Sequence, residues 1–127
     1  MSNKAPICTP HEKAGLEKDG SYPSGHSAIG WAWALVLSEI SPSHADALLA
    51  RGRAFGQSRV VCNVHWQSDV NEGRIMGAAA VAKLHSDPVF LAEMKAAKKE
   101  IASLREDGAY SLPSSCEREA ATLGISY

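Results

Sequence analysis

The stretch SGHSAIGWAWALVLSEI, residues 24–40, decides the fold of this chain. Its apolar residues stand nearly all round a helical projection, which predicts a helix that other helices cover on several sides. Ser24 is a favourable N-cap residue and places the helix start near His26. We therefore expect a central helix from His26 to Ile40, with the rest of the chain packed around it.

Three further helical segments follow in the sequence. Pro42 and Ser43 restart the chain as a helix that should run to about Cys62. The next helix is predicted over residues 69–84, and Asp87 with Pro88 opens the last one. Strand signals are absent, because no alternating β-branched run and no Asn-Gly turn occurs. The predicted fold class is all-α, a helical bundle of about four main helices.

Length and charge exclude several kinds of protein. At 127 residues the chain predicts a single helical domain over residues 1–108, followed by a tail of weak structure over residues 109–127. The longest apolar run is about half of the roughly 20 residues a bilayer span needs. Residues 1–20 are too charged for a secretory signal peptide. With a net charge of −1, nucleic acid is a poor partner and a small ester fits better.

The three cysteines, Cys8, Cys62 and Cys116, lack the close spacing of a metal or redox motif. No C-x-x-C pair occurs, which argues against a zinc knuckle or a thioredoxin-type site. Two arrangements remain open on the residues alone. Either one disulfide forms and leaves one cysteine over, or all three are unpaired thiols, as in a cytosolic protein.

Arg59 is the first candidate functional residue. It shares a predicted helix stripe with Leu48, Gly52 and Phe55, so its guanidinium is expected to be buried. Arginine keeps its charge in proteins, and a buried guanidinium must meet an anion or several acceptors. A carboxylate in a structural ion pair and a bound phosphate would both satisfy it.

Ser24, Gly25 and His26 form the second candidate element. They stand where a loop enters the central helix, so free backbone N–H groups and the positive end of the helix dipole favour an anion there. Gly25 would let the backbone approach that anion closely. The alternative is plain N-capping by Ser24 with an incidental histidine.

His65 and Asp69 form the third element. Four residues apart, they lie on one side of a helical turn, where the aspartate can hold one imidazole tautomer. The other ring nitrogen is then free to act as nucleophile or base, although such a pair can also be purely structural. His65 converges with Arg59 only if the helix ends between them, and Asn63 is a plausible break. We expect the helix to stop near residues 62–64.

Two motifs combine these residues: Pro23-Ser24-Gly25-His26 and Ser58-Arg59-x5-His65-x3-Asp69. Together they resemble the class A bacterial nonspecific acid phosphatases, within the type 2 phosphatidic acid phosphatase and vanadium haloperoxidase superfamily. The resemblance covers roughly residues 7–104. It implies a partial version of the family's helical core, equivalent to the C-terminal half of a full-length member, and a periplasmic location.

The resemblance also implies an activity. The family members hydrolyse or transfer phosphate from small phosphate monoesters through a phosphohistidine, here on His65, with Asp69 orienting the ring and His26 protonating the leaving group. The phosphate oxygens would be held by Ser24, Gly25 and Arg59. Inorganic phosphate or vanadate would occupy the same site, and the family needs no metal or other cofactor. Because Cys8 and Cys62 both flank this site, we expect them to form a disulfide.

One family motif is missing. Lys-x6-Arg-Pro should precede Pro23, but the nearby Lys4 is followed by His11 and Glu12 where Arg and Pro are required. The alternative function is therefore a catalytically weak or inactive remnant, a helical phosphate-binding or self-associating protein. The family's upstream helices would also cover the apolar central helix. We expect a homo-oligomer or a partner fragment to cover it here.

Overall fold

The computed structural model describes residues 6–107 and 115–124, and every regular element in these ranges is helical. A 3-10 turn, Pro10–Glu12, leads into the short helix α1, Lys13–Leu16. Four long helices follow: α2 (Gly25–Ile40), α3 (Ala45–Val61), α4 (Gln67–Leu84) and α5 (Pro88–Glu106). The prediction of an all-α fold with four main helices is confirmed.

The helix boundaries follow local sequence signals. Asp87 caps α5 through its carboxylate, which accepts from the N–H of Val89 at 2.8 Å, and Pro88 occupies the first helical position. Residues Pro42–His44 form a 3-10 turn, so α3 begins at Ala45 instead of directly after the proline. Helix α4 begins at Gln67, two residues before the predicted start at Asp69.

Helix α2 is central because small residues let α3 and α4 approach it closely. A Cβ atom at Gly52 of α3 would collide with the side chain of Ala34. A Cβ at Gly73 of α4 would collide with the carbonyl oxygen of Ser24. These glycines are buried, and the close approach brings the beginning of α2 against the beginning of α4.

The C-terminal segment differs from its prediction of weak structure. A helix, α6, runs over Ser115–Leu123, contacts α3, and contains the buried Ala120. Glu119 of α6 forms an ion pair with Arg51 of α3. Cys116, Ala120 and Leu123 stand at helical spacing and give α6 an apolar face, so the local pattern was present and the prediction of weak structure missed it. Residues 109–114 and 125–127 of the predicted tail lie outside the described residues.

One face of α2 is uncovered. Ile29, Trp33 and Leu37 are spaced four residues apart and are 54%, 67% and 45% exposed. Side chains at this spacing share one face of a helix. Helix α2 therefore packs against α3 and α4 on its other faces and exposes an apolar stripe on this face. Across the described ranges, none of the helices combines the length and the apolar character needed to cross a membrane.

Candidate active site

The entrance of α2 supplies the first part of the site. Ser24 is fully buried, and its Oγ accepts from the backbone N–H of Ser27 at 3.3 Å and from the Ser27 hydroxyl at 2.9 Å. N-capping by Ser24, one of the two interpretations of this motif, is therefore seen. The first-turn N–H groups of Gly25 and His26 have no acceptor within the helix. A Cβ at Gly25 would meet no atom within 4 Å, so the space beside these N–H groups is open.

The junction between α3 and α4 supplies the second part. Helix α3 ends at Val61, and Asn63 takes a left-handed conformation with φ 57°. The chain then folds back, so that the carbonyl of Arg59 accepts from the N–H groups of Val64 at 3.1 Å and His65 at 3.2 Å. The predicted helix stop is confirmed, and it brings His65 back to Arg59.

His65 and Asp69 face each other across this junction. The Nδ1 atom of His65 lies 3.5 Å from Oδ2 of Asp69, and both side chains are nearly buried. This distance is long for a hydrogen bond between nitrogen and oxygen. Nδ1 is buried and has no hydrogen bond to the described part of the chain. Catalytic hydrogen bonds are often long before substrate binds, and here the two groups are neighbours that do not form a hydrogen bond with each other.

Other groups hold the Asp69 carboxylate in place. The N–H of Trp66 donates to Oδ2 at 3.0 Å and the Ser68 hydroxyl donates to Oδ1 at 3.1 Å. Burial alone would raise the pKa of Asp69, but the hydrogen bonds from Trp66 and Ser68, the Ser21 hydroxyl and the contact with His65 lower it below the ordinary value. The carboxylate therefore stays charged in mildly acidic solution and keeps a negative charge beside His65.

The guanidinium of Arg59, like the imidazole of His65, has a buried nitrogen without a hydrogen bond to the described residues. Its Nε atom is buried and has no hydrogen-bond partner among residues 6–107 and 115–124. No carboxylate of these residues lies within ion-pair distance of Arg59. The internal ion pair that the sequence left open is thus not seen, and an anion from outside remains the chemistry that suits this group.

His26 completes the group of charged residues. Partial burial, then the charges of Arg59 and His65, lower its pKa below 6.5, against a smaller opposing effect of Glu12. The charges of Arg59 and His65 therefore act on His26. With Asp69 beside His65, two imidazoles, one guanidinium and a buried carboxylate are brought together here.

Sequence reasoning missed two residues that support Asp69. The Ser68 hydroxyl donates a hydrogen bond to its carboxylate, and the Ser21 hydroxyl helps to lower its pKa. Ser68 directly precedes the aspartate and could have been suspected from that position, whereas Ser21 is 48 residues away and carried no usable signal. Within the described residues, no group of three or more His, Cys, Asp or Glu side chains is placed to hold a metal ion.

The described residues form a helical fold in which His26, Arg59 and His65 lie at the ends of α2, α3 and α4. The model of the PAP2 superfamily matches residues 3–91, and the chain belongs to that superfamily.

The chain is also similar to named bacterial enzymes. It is 54% identical over 99 residues to the non-specific acid phosphatase of Providencia stuartii, covering 78% of this chain and 40% of that protein. It is 51% identical over 100 residues to the acid phosphatase of Zymomonas mobilis subsp. mobilis, covering 79% and 38%. A third relative, the non-specific acid phosphatase of Salmonella typhimurium, is 49% identical, covering 79% and 37%. The chain thus spans about two fifths of the length of these relatives.

Proposed function

We propose that this chain carries the phosphoryl-transfer site of an acid phosphatase acting on small phosphate monoesters. The observation that carries the proposal is the buried Nε of Arg59, without a partner among the described residues, beside His26 and His65. A phosphate dianion would satisfy this guanidinium with charge-assisted hydrogen bonds. The similarity to named acid phosphatases over more than three quarters of the chain supports the same reaction.

In the first step, His65 is the nucleophile. Because Nδ1 faces Asp69, Nε2 is the nitrogen available to attack phosphorus. Its lone pair forms the N–P bond while the P–O bond to the leaving alcohol breaks, and His26 gives its proton to the departing oxygen. Asp69 stabilises the positive charge that develops on the imidazole, as in other triads of nucleophile and orienting carboxylate.

The second step returns the enzyme to its starting state. Water attacks the phosphorus, the N–P bond breaks, and His26, now neutral, takes the proton of the water. An alcohol in place of water would give transfer instead of hydrolysis. The equatorial oxygens are held by Arg59 and by the first-turn N–H groups at Gly25, where charge spreads in the transition state. Ser24 would join them by donating its own hydroxyl proton, since its oxygen already accepts from Ser27.

Hydrolysis of p-nitrophenyl phosphate at about pH 5.5 tests this proposal. We expect turnover by the full chain that His65→Ala abolishes, while His11→Ala, an exposed histidine outside the site, leaves it unchanged. Acid quenching with a phosphate-labelled monoester should trap label on the wild type and none on His65→Ala. Turnover that survives His65→Ala would overturn the assignment of the nucleophile.

We propose that the protein works in an oxidising compartment such as the bacterial periplasm. Cys8 and Cys62 form a disulfide, the pairing expected from the family resemblance, whereas Cys116 is free. Structural disulfides persist in secreted and periplasmic proteins and are rare in the cytosol. Fractionation of the native host with blotting for the chain would test the location, and recovery in the cytosolic fraction would contradict it.

A second candidate function is phosphate binding without turnover. It is favoured by the absence of a Lys-x6-Arg-Pro motif from residues 1–22, since among these residues and the described helices Arg59 is the guanidinium of the proposed phosphate site. Removing one donor to a developing oxyanion costs about 10²–10³ in rate. Calorimetric titration with vanadate and phosphate distinguishes the two functions. Binding that depends on Arg59, without hydrolysis above the His65→Ala background, supports this second candidate.

We further propose that a second copy of the chain or a partner fragment covers the stripe of Ile29, Trp33 and Leu37. These side chains are 45–67% exposed, and contiguous apolar surface of this kind usually marks an interface. Light scattering after gel filtration tests whether a second copy of the chain is the partner. We expect Trp33→Lys to lower the measured mass of an assembly, and Lys95→Glu on an exposed face of α5 to leave it unchanged.

A further inference from the structure

A cavity lies at the opposite end of α2 and α3 from the proposed phosphate site. Its volume is about 590 Å³, and it is formed by the end of α2, the beginning of α3, the second half of α5, and α6. At 1.5 Å per residue, its residue His44 stands about 20 Å along α3 from Arg59. The part of the cavity wall that α5 and α6 contribute begins at Ala97. The match to the superfamily ends at residue 91, so this part of the wall lies outside the matched region.

The cavity is lined mainly by apolar side chains from all four elements. They are Leu37, Ile40, Leu48, Ile101 and Leu123. A volume of several hundred cubic ångströms with apolar walls and a few convergent polar groups is typical of small-molecule sites.

The polar part of the wall centres on Arg105. Its Nη2 donates to the hydroxyl of the buried Ser41 at 2.7 Å and lies 3.2 Å from Nδ1 of His44. Nδ1 of His44 also lies 3.0 Å from the hydroxyl oxygen of Ser41 and 2.9 Å from that of Ser43. The bond to Ser41 and the contact with His44 fix the position of Nη2. Nε and Nη1 make no hydrogen bond to the described residues, so their N–H groups are available to another acceptor.

The other charged residues of the wall determine which ligand fits. Arg51 is already paired with Glu119. Arg105 has no carboxylate within ion-pair distance among the described residues. Glu100 also lines the cavity, and its negative charge opposes a second anionic group. The wall is therefore complementary to one anionic head group beside Arg105 and to an uncharged apolar body elsewhere.

We propose that this cavity binds a single-chain amphiphile with one carboxylate head, of the fatty-acid class. The carboxylate accepts from the Nε and Nη1 groups of Arg105, an arrangement for which the planar guanidinium is suited. The chain lies among the leucine and isoleucine side chains of α2, α3, α5 and α6. Since no residue of the phosphate site contributes to the cavity, the binding does not depend on phosphatase activity.

Titration calorimetry of the full chain with dodecanoate at about pH 7 tests the proposal, because the carboxylate is then ionised. We expect saturable binding of one dodecanoate per chain. Dodecylamine, which is cationic, should bind at least tenfold more weakly, because it loses the charge-assisted hydrogen bonds. Dodecanedioate should also bind more weakly, because its second carboxylate enters the apolar part of the cavity.

Two variants locate the site. Arg105→Gln should weaken dodecanoate binding about tenfold or more, and Ala97→Phe should weaken it by filling the cavity. Arg53→Gln, an exposed arginine of α3 outside the cavity, is the matched control and should have no effect. Circular dichroism establishes that each variant is folded.

The proposal is overturned if dodecanoate shows no saturable binding or if dodecylamine binds equally well. It is also overturned if Arg105→Gln binds like the wild type. The comparison of dodecanoate with dodecylamine uses the wild-type chain alone, so it decides the matter even if a variant fails to fold.

Discussion

The backbone N–H of Ser24 donates to the backbone carbonyl of Asp69 over 3.0 Å. This bond joins the N-cap residue of α2 to the first turn of α4, and so connects the two sequence motifs directly. Asp69 faces His65 through its side chain, while Ser24 precedes the free N–H groups of Gly25 and His26. The relative position of nucleophile and anion-binding backbone therefore depends on how closely α2 and α4 pack.

Gly73→Ala should disturb this packing. The added Cβ would collide with the carbonyl oxygen of Ser24 and press on the side chain of Ser27, so α4 must move away from α2. We expect a loss of about 1–3 kcal/mol in the free energy of unfolding, measured by urea titration, and weaker phosphate binding. The matched control is Gly15→Ala, where a Cβ meets nothing within 4 Å. Equal stability of the two variants would show that the contact is not tight.

Loss of the disulfide should destabilise the chain much more than loss of the free thiol. Cys8 and Cys62 are 54 residues apart, and closing a loop of that length restricts the unfolded chain by about 4 kcal/mol on the entropic account. We expect Cys8→Ser to lower the urea midpoint strongly and Cys116→Ser to change it little. Intact mass should rise by two hydrogens on reduction of the wild type. No mass change would mean that the bridge does not form.

The pH profile of hydrolysis should reflect His26. Burial and the charges of Arg59 and His65 lower its pKa below 6.5, so the proton needed by the leaving group is lost as pH rises through that lowered value. We expect the rate to fall on the alkaline side from a midpoint below 6.5. Arg59→Gln removes a repelling charge and should raise the pKa of His26, measured by NMR titration of its imidazole. A downward shift in that variant would contradict the arrangement.

His85 should make stability depend on pH. Its Nδ1 lies 2.8 Å from the Val81 carbonyl and its Nε2 lies 2.9 Å from Glu39. Both partners accept hydrogen bonds, and first the carbonyl and then Glu39 raise the pKa of His85 above 6.5. A raised pKa stabilises the fold fully below the unfolded value near 6.5, and this contribution is lost as pH rises through the folded value.

The measurement for His85 is the urea midpoint at about pH 5.5 and about pH 8.5. We expect His85→Gln to be destabilising at the lower pH and nearly neutral at the higher one. Glu39→Gln should remove part of the same effect, and the double variant should be less destabilised than the sum of the two single variants. If His85→Gln lowers the urea midpoint equally at both pH values, the ion pair between His85 and Glu39 is not the cause of the pH dependence.

The long helices were readable from the sequence because their signals are local. Asp87 and Pro88 indicate the start of α5, and the apolar stretch of residues 24–40 indicates a helix that is covered by other helices. The break after α3 was also readable, because Asn63 tolerates a left-handed conformation better than most residues. Helix α6 was not predicted, although Cys116, Ala120 and Leu123 stand at helical spacing; its ion pair to Arg51, which joins residues far apart in the chain, is what the sequence could not show.

For the candidate site, too, some features could be predicted from the sequence and others could not. The sequence by itself determined the helical class, the motif residues His26, Arg59, His65 and Asp69, and their family resemblance, because these follow from residue type and short spacing. Only the tertiary structure decided that Arg59 has no carboxylate partner among the described residues, and that Ser21 supports Asp69. The physical reason is that burial, charge pairing and hydrogen bonding between distant segments arise from close packing of α2 against α3 and α4, which no local pattern encodes.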